Sequence, residues 1–194
     1  MVQISQVSTL RSAVIPRATA VTQISLILTG TLFLAAMAQI SFPIPGSPVP
    51  FTGQTLGVLL LGTAYGATLG FSTVAFYLLM GIMGAPIFAS GSHGIEKIGG
   101  PTGGYLVGML ISSLVLGALA GRKWDQKIRT VIPTMLIGNV IIFSAGLFWL
   151  HQNTGNDWAW TFKNGFTPFI FGEVLKIAIA STTLPVLWRF VSKR

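Results

Sequence analysis

With 194 residues, 52% of them hydrophobic and only 8% charged, the chain cannot clothe a water-facing surface, since soluble domains carry about 25% charged residues. A formal net charge of +8 would suit a nucleic-acid partner in a soluble protein. Here, however, Lys and Arg gather at the ends of apolar runs, which is the pattern of membrane topology and excludes a DNA-binding face. The sequence has no cysteine, so disulfides, zinc–thiolate sites and cysteine nucleophiles are excluded.

The first apolar stretch, Ile24–Ile40, follows Arg11 and Arg17 and contains Ala36-Met37-Ala38, a combination that imitates a cleavable signal peptide. The run is longer than a usual signal core and leads into further apolar sequence, so it reads as a first membrane span at about 22–41, after an N-terminal segment over 1–21. A crossing helix needs about 20 mainly apolar residues, and no Asp, Glu, Lys or Arg occurs between Ala18 and Ile95. The loop Phe42–Gly53 holds Pro43, Pro45, Pro48 and Pro50, which a helix interior rejects. Span 2 is expected at about 54–68 and span 3 at about 70–85, with the break near Gly70. A Gly-rich loop from Pro86 to Gly104 precedes span 4 at about 105–121. The polar linker Arg122–Arg129 leads to span 5 at about 130–150, and the Trp-bearing loop His151–Thr167 to span 6 at about 168–189. The runs are continuous rather than alternating, so helices and not a barrel are expected: an all-α bundle of six transmembrane helices, with the membrane domain over 22–191.

Basic residues orient it. Arg11 and Arg17, Arg122, Lys123, Lys127 and Arg129, and Arg189, Lys193 and Arg194 all fall on one side of a six-span chain, against Lys97 and Lys163 on the other. The positive-inside rule then places both termini in the cytoplasm and the three long loops outside. No clear internal repeat is present, which weighs against an inverted-repeat carrier.

Small residues recur at four-residue spacing: Gly62, Gly66 and Gly70; Gly104 and Gly108; Gly117 and Gly121; Thr31 and Ala35. Such spacing lets helix backbones approach closely in lipid. It serves either packing within the bundle or docking onto a partner, and Thr31 with Ala35 on the first span is the best docking candidate. Among the acids, Glu96 and Asp157 fall in outer loops and Asp125 reads as a solvated linker residue. Glu173 lies within span 6, three residues before Lys176, so both project from one helical face. Charges inside a membrane segment cost roughly 2.5–3.5 kcal/mol at its centre and mark functional interiors; the alternative is an ion pair that only holds the bundle together. Asn139 in span 5 either bridges helices or faces a ligand. Ser90-Gly91-Ser92-His93-Gly94 lacks the orienting acid of a catalytic triad. Gly99–Gly104 lacks the Lys and Ser/Thr of a nucleotide-binding loop. Neither catalysis nor a metal or cofactor site is expected.

Pro43-Ile44-Pro45 with Pro48–Thr55, Tyr77–Gly81 with Gly84–Ala89, Gly100–Tyr105 and Pro168–Lys176 together resemble the signatures of the BioY family, in order over about 40–180. The resemblance implies a substrate-capture (S) component of an energy-coupling factor (ECF) transporter: high-affinity biotin binding and uptake at the cytoplasmic membrane, with a transmembrane coupling protein and two ATPase subunits as partners. The alternative is a capture subunit for a different vitamin or small solute. The family usually has Asp where this chain has Glu173. Biotin needs apolar and aromatic walls with a few fixed polar groups. Phe51, Gln54, Tyr77, Ser90, Thr102, Tyr105, Asn139, Glu173 and Lys176 are the expected binding residues, with Glu173 accepting from a ureido N–H and Lys176 donating to its carbonyl.

Overall fold

The computed structural model describes residues 9–192; residues 1–8 of the expected N-terminal segment, and Lys193 and Arg194 of the basic tail, lie outside the described residues. A short helix α1 (Leu10–Val14), closed by a Thr9–Ser12 capping box, precedes α2 (Ala20–Gln39). A two-residue ribbon, β1 (Ser41–Phe42) with β2 (Phe51–Thr52), brackets the proline loop. Ser41 stands opposite Thr52 and Phe42 opposite Phe51. Prolines cannot donate to a ladder, so pairing is confined to the flanks of the loop; an all-α expectation leaves this ribbon out.

Helix α3 (Gln54–Tyr65) follows, then α4 (Ala67–Ile82). The break falls at Gly66, at φ +85°, and not near Gly70. A positive φ combined with the extended ψ of 173° found there is essentially confined to glycine, whereas Gly70 sits inside α4, where a Cβ would stand 3.1 Å from Gly62 Cα. Beyond a loop containing α5 (Ile95–Gly99) come α6 (Gly103–Gly121) and α7 (Ile128–Thr154). The short α8 (Trp158–Gly165) and a 3-10 turn at Thr167–Phe169 lead into α9 (Ile170–Val191).

Among the described residues, four stretches are long and apolar enough to cross a membrane: α2, α6, α7 and the continuous run Trp158–Val191. Helix α4 is apolar but shorter, and α3, with 12 residues, is about 18 Å long, well short of a hydrocarbon core of about 30 Å. Helices α6 and α7 pack most extensively on one another, α3 and α4 lean on α6, and α9 closes against α7 and α3. Helix α2 is the least enclosed of the four, with only 17% of its span buried against 61% for α6.

Two expectations change here. Thr31, paired with Ala35 as a docking candidate, does not face outward. Thr31 is buried, its hydroxyl 3.4 Å from the Thr73 carbonyl on α4, and Ala35 is half-buried against the main core cluster. Small side chains face inward because α2 reaches α4 and α3 through them; at Gly30 a Cβ would stand 2.7 Å from the Thr73 methyl. Asp125 is not solvated either. It is fully buried, and its Oδ2 accepts a 2.6 Å bond from the Trp188 indole N–H, tying the α6–α7 linker to the end of α9. Burial raises its carboxyl to about 6, against the opposing effect of that hydrogen bond.

Candidate ligand site

At the end of the bundle that carries the proline loop, the α4–α6 loop and α8, the helices enclose a cavity of about 490 Å³, within the 300–1,000 Å³ usual for small-molecule sites. Its apolar wall includes Val49, Phe88, Leu106, Met109, Phe143 and Phe169. Its polar side is built on the start of α3 and of α9, from Thr52, Gln54, Thr55, Glu173 and Lys176.

The Lys176 ammonium donates to the Thr52 carbonyl at 2.6 Å, to Thr55 Oγ1 at 2.8 Å and to Glu173 Oε1 at 2.6 Å. It also lies 4.1 Å from the centroid of the Phe51 ring. Thr55 Oγ1 donates to the same Glu173 oxygen at 2.9 Å. All three ammonium donors are therefore engaged within the protein, and Lys176 holds Glu173 in place while lining the cavity. Glu173 Oε2 is different: it is buried and has no hydrogen-bond partner among the described residues. A buried carboxylate oxygen left unpaired is costly, and this one belongs to a residue that lines a cavity.

Gln54 is fixed from behind. Its amide N–H donates to the Tyr77 hydroxyl at 2.8 Å, which donates in turn to the Ile87 carbonyl at 2.9 Å. Tyr77 thus stands one layer back and does not line the cavity. Phe51 also lies outside the lining, under Lys176 and stacked on Phe169 with ring centroids 6.4 Å apart. Asn139 is buried lower in α7, its side-chain N–H 3.4 Å from the Met135 carbonyl, and it is not among the lining residues. Tyr105 is in the wall, its hydroxyl bonded to the Gly165 carbonyl at 2.8 Å. Ser90 and Thr102 line the cavity from the α4–α6 loop. Ser90, at φ 56°, reaches Ser41 Oγ at 3.1 Å.

Sequence reasoning missed Thr55, Phe88, Lys97, Met109, Phe143 and Phe169. Lys97 lines the cavity together with its neighbour Glu96. The signal for Thr55 was available, since it directly follows Gln54 at the start of the helix after the proline loop. The apolar residues carry no mark distinguishing a cavity wall from a core position.

Fold and site together define a polytopic helical membrane protein with a ligand-sized, partly aromatic cavity at one end of its bundle. The chain belongs to the BioY family, whose pattern matches residues 8–193. It is 35% identical over 161 residues to biotin transporter BioY2 of Lactococcus lactis subsp. cremoris, covering 81% of this chain and 85% of that one. It is 34% identical over 151 residues to the biotin transporter BioY of Thermotoga maritima, covering 78% and 86%. A probable biotin transporter BioY of Pyrococcus horikoshii is 36% identical over 158 residues, covering 81% and 91%. The fold matches the crystal structure of the S-component for biotin from an ECF-type ABC transporter with a TM-score of 0.80 at 22% identity, covering 89% of this chain and 95% of that one.

Proposed function

We propose that this chain is the biotin-capturing subunit of an ECF-type transporter in the cell membrane, a binding and uptake component rather than an enzyme. The observation that carries the reading is the unpartnered Glu173 Oε2 in a cavity walled by Phe88, Met109, Phe143 and Phe169. A ureido ring offers an N–H to that oxygen, the bicyclic thioether rests on the aromatic and Met side chains, and the valerate chain runs toward the mouth. There Lys97, Ser90 and Ser92 meet its carboxylate. Gln54 supplies a further polar contact, while Phe51 and Tyr77 hold Lys176 and Gln54 in position. The family relatives named as biotin transporters support the same ligand. The protein purified from biotin-containing medium is expected to retain one biotin per chain. A chain that retains none, and shows no heat of biotin binding in calorimetry, would sink the proposal.

In the membrane the chain is read as six passes, α2, α3, α4, α6, α7 and α9, of which the short α3 lies shielded against α6 and α4 and crosses only part of the hydrocarbon core, with the cavity facing out and both termini in the cytoplasm. Arg11, Arg17, Arg122, Lys123, Lys127, Arg129 and Arg189 mark the inner end, and Lys97 and Lys163 the outer one. Single cysteines replacing Lys97 and Lys123 are expected to react with an impermeant maleimide from opposite faces of the membrane; reaction from the same face contradicts this topology. Coupling to a transmembrane partner and two ATPase subunits follows the same reading. The side of α2 proposed for that partner is the exposed one with Val21, Ile24, Leu28 and Leu32, which the half-buried Ala35 continues along the same helix face.

A further inference from the structure

Helix α8 carries a feature the ligand site does not use. Trp158 and Phe162, four residues apart, share one face of the helix, and Phe166, the residue that ends it, sets its ring 6.3 Å from that of Phe162; the three are 46%, 47% and 36% exposed. The side next to it, with Thr161 and Gly165, is buried on the bundle. Asp157 caps the helix by accepting from the Trp160 N–H at 2.7 Å. The Trp158 ring is held on one side by His151, stacked at 4.1 Å and 17°, and next along the face by Phe162, with centroids 6.1 Å apart. The stripe is therefore an ordered aromatic surface left open on its outer side. The spans that α8 joins also expose large apolar side chains: Phe148 on α7 is 58% exposed, and Phe171 in the first turn of α9 is 85% exposed. Lys163 is exposed as well and follows directly after Phe162.

We propose that the outer face of α8 is a lipid-interface anchor. The helix lies along the outer membrane surface with Trp158, Phe162 and Phe166 sunk at the boundary of headgroups and acyl chains, and with the Lys163 ammonium among lipid phosphates. The occupant is the bilayer because α8 joins the neighbouring ends of α7 and α9, two helices long and apolar enough to cross it, and so lies where those spans leave the acyl chains. An amphipathic segment with aromatic residues on one side and a basic residue on the polar side binds an interface in this way, and Trp is enriched at that depth. The anchor also reaches the ligand cavity. Phe166 packs edge-on against Phe143 at 5.4 Å, and Phe143 lies 6.0 Å from Phe169; both of these line it.

The inference rests on the chain being membrane-embedded, not on which ligand it takes, so the two can fail separately. Because the chain has no cysteine, single spin labels can be placed in the protein reconstituted alone in phosphatidylcholine vesicles: at Phe162→Cys, at Phe171→Cys as the acyl-chain reference, and at Lys127→Cys as the aqueous reference. The ratio of collisions with oxygen to collisions with a water-soluble nickel chelate is expected to be severalfold higher at 162 than at 127, and below that at 171. A ratio at 162 equal to that at 127 places the face in water and overturns the anchor. A label at 162 shielded from both reagents places it against a second copy and overturns it equally. Should Phe162→Cys not fold, quenching of the protein's tryptophan emission by phospholipid brominated near the headgroup end of its chains decides the matter. It is expected to fall clearly in Trp158→Phe, and unchanged quenching rejects the proposal.

Discussion

Replacing Glu173 by Gln is expected to weaken biotin binding by roughly ten- to a hundredfold, since hydrogen bonds to charged groups contribute about 1.5–3 kcal/mol and 1.4 kcal/mol is tenfold in affinity. The geometry explains why so small a change is felt. Glu173 Oε1 already accepts from both Lys176 and Thr55, so a glutamine must turn its own oxygen to that position to satisfy the same donors. Its NH2 then stands where Oε2 had been, and a donor meets the ligand's N–H. The acceptor is lost and a repulsive contact replaces it. Because Lys176 remains bonded to Thr52 and Thr55, the fold should survive. The competing account makes Glu173 and Lys176 a structural pair only. It requires the double variant Glu173→Gln with Lys176→Met to bind biotin like the parent. Titration calorimetry on single and double variants separates the two, and near-parental affinity in the double variant removes the pair from the site.

That pair was legible in the sequence because charge is rare in this chain and its spacing on one helix fixes a shared face. What the spacing could not supply was the division of labour. Lys176 reads as a ligand donor, and its bonds to Thr52 and Thr55 are hidden because those residues come from the far side of the proline loop. Tyr77 and Phe51 were likewise found as residues near the site, but their layer depends on how α4 and the β1–β2 ribbon pack. Aromatic residues in an apolar run look alike whether they face a ligand or brace a neighbour. Phe143, Phe169 and Met109 were invisible for the same reason.

The long apolar helices followed from hydropathy, whereas α1, α5 and α8 fell in segments expected as tail or loop, because they are too short to show as apolar runs. The break expected near Gly70 and found at Gly66 was misplaced because both glycines fit the same spacing pattern. Only the backbone separates them: one turns the chain at positive φ, and the other admits the backbone of α3. Asp125 was misjudged because its neighbours are basic and polar, while its partner Trp188 lies 63 residues on.

Small residues at four-residue spacing present the same difficulty and give a sharp test of it. Gly117 and Gly121 are indistinguishable in the sequence. In the structure, a Cβ at Gly117 would run into the backbone of Gly66 and Ala67, whereas one at Gly121 meets nothing within 4 Å. The obstacle at Gly117 is the turn between α3 and α4, held at φ +85° by Gly66, and it cannot yield as a flexible side chain does. Gly117→Leu must therefore separate α6 from that turn. Overpacking typically costs about 1–3 kcal/mol, with larger values where backbone must shift. A cost at the top of that range corresponds to a fall of roughly 6–12 °C in thermal midpoint for a chain of this size. Gly121→Leu should leave the midpoint near the parent's. Thermal unfolding of the two variants in detergent, side by side, checks the assignment: equal midpoints would mean that α6 does not rest on the α3–α4 turn, and that the spacing at 117 and 121 serves something outside the bundle.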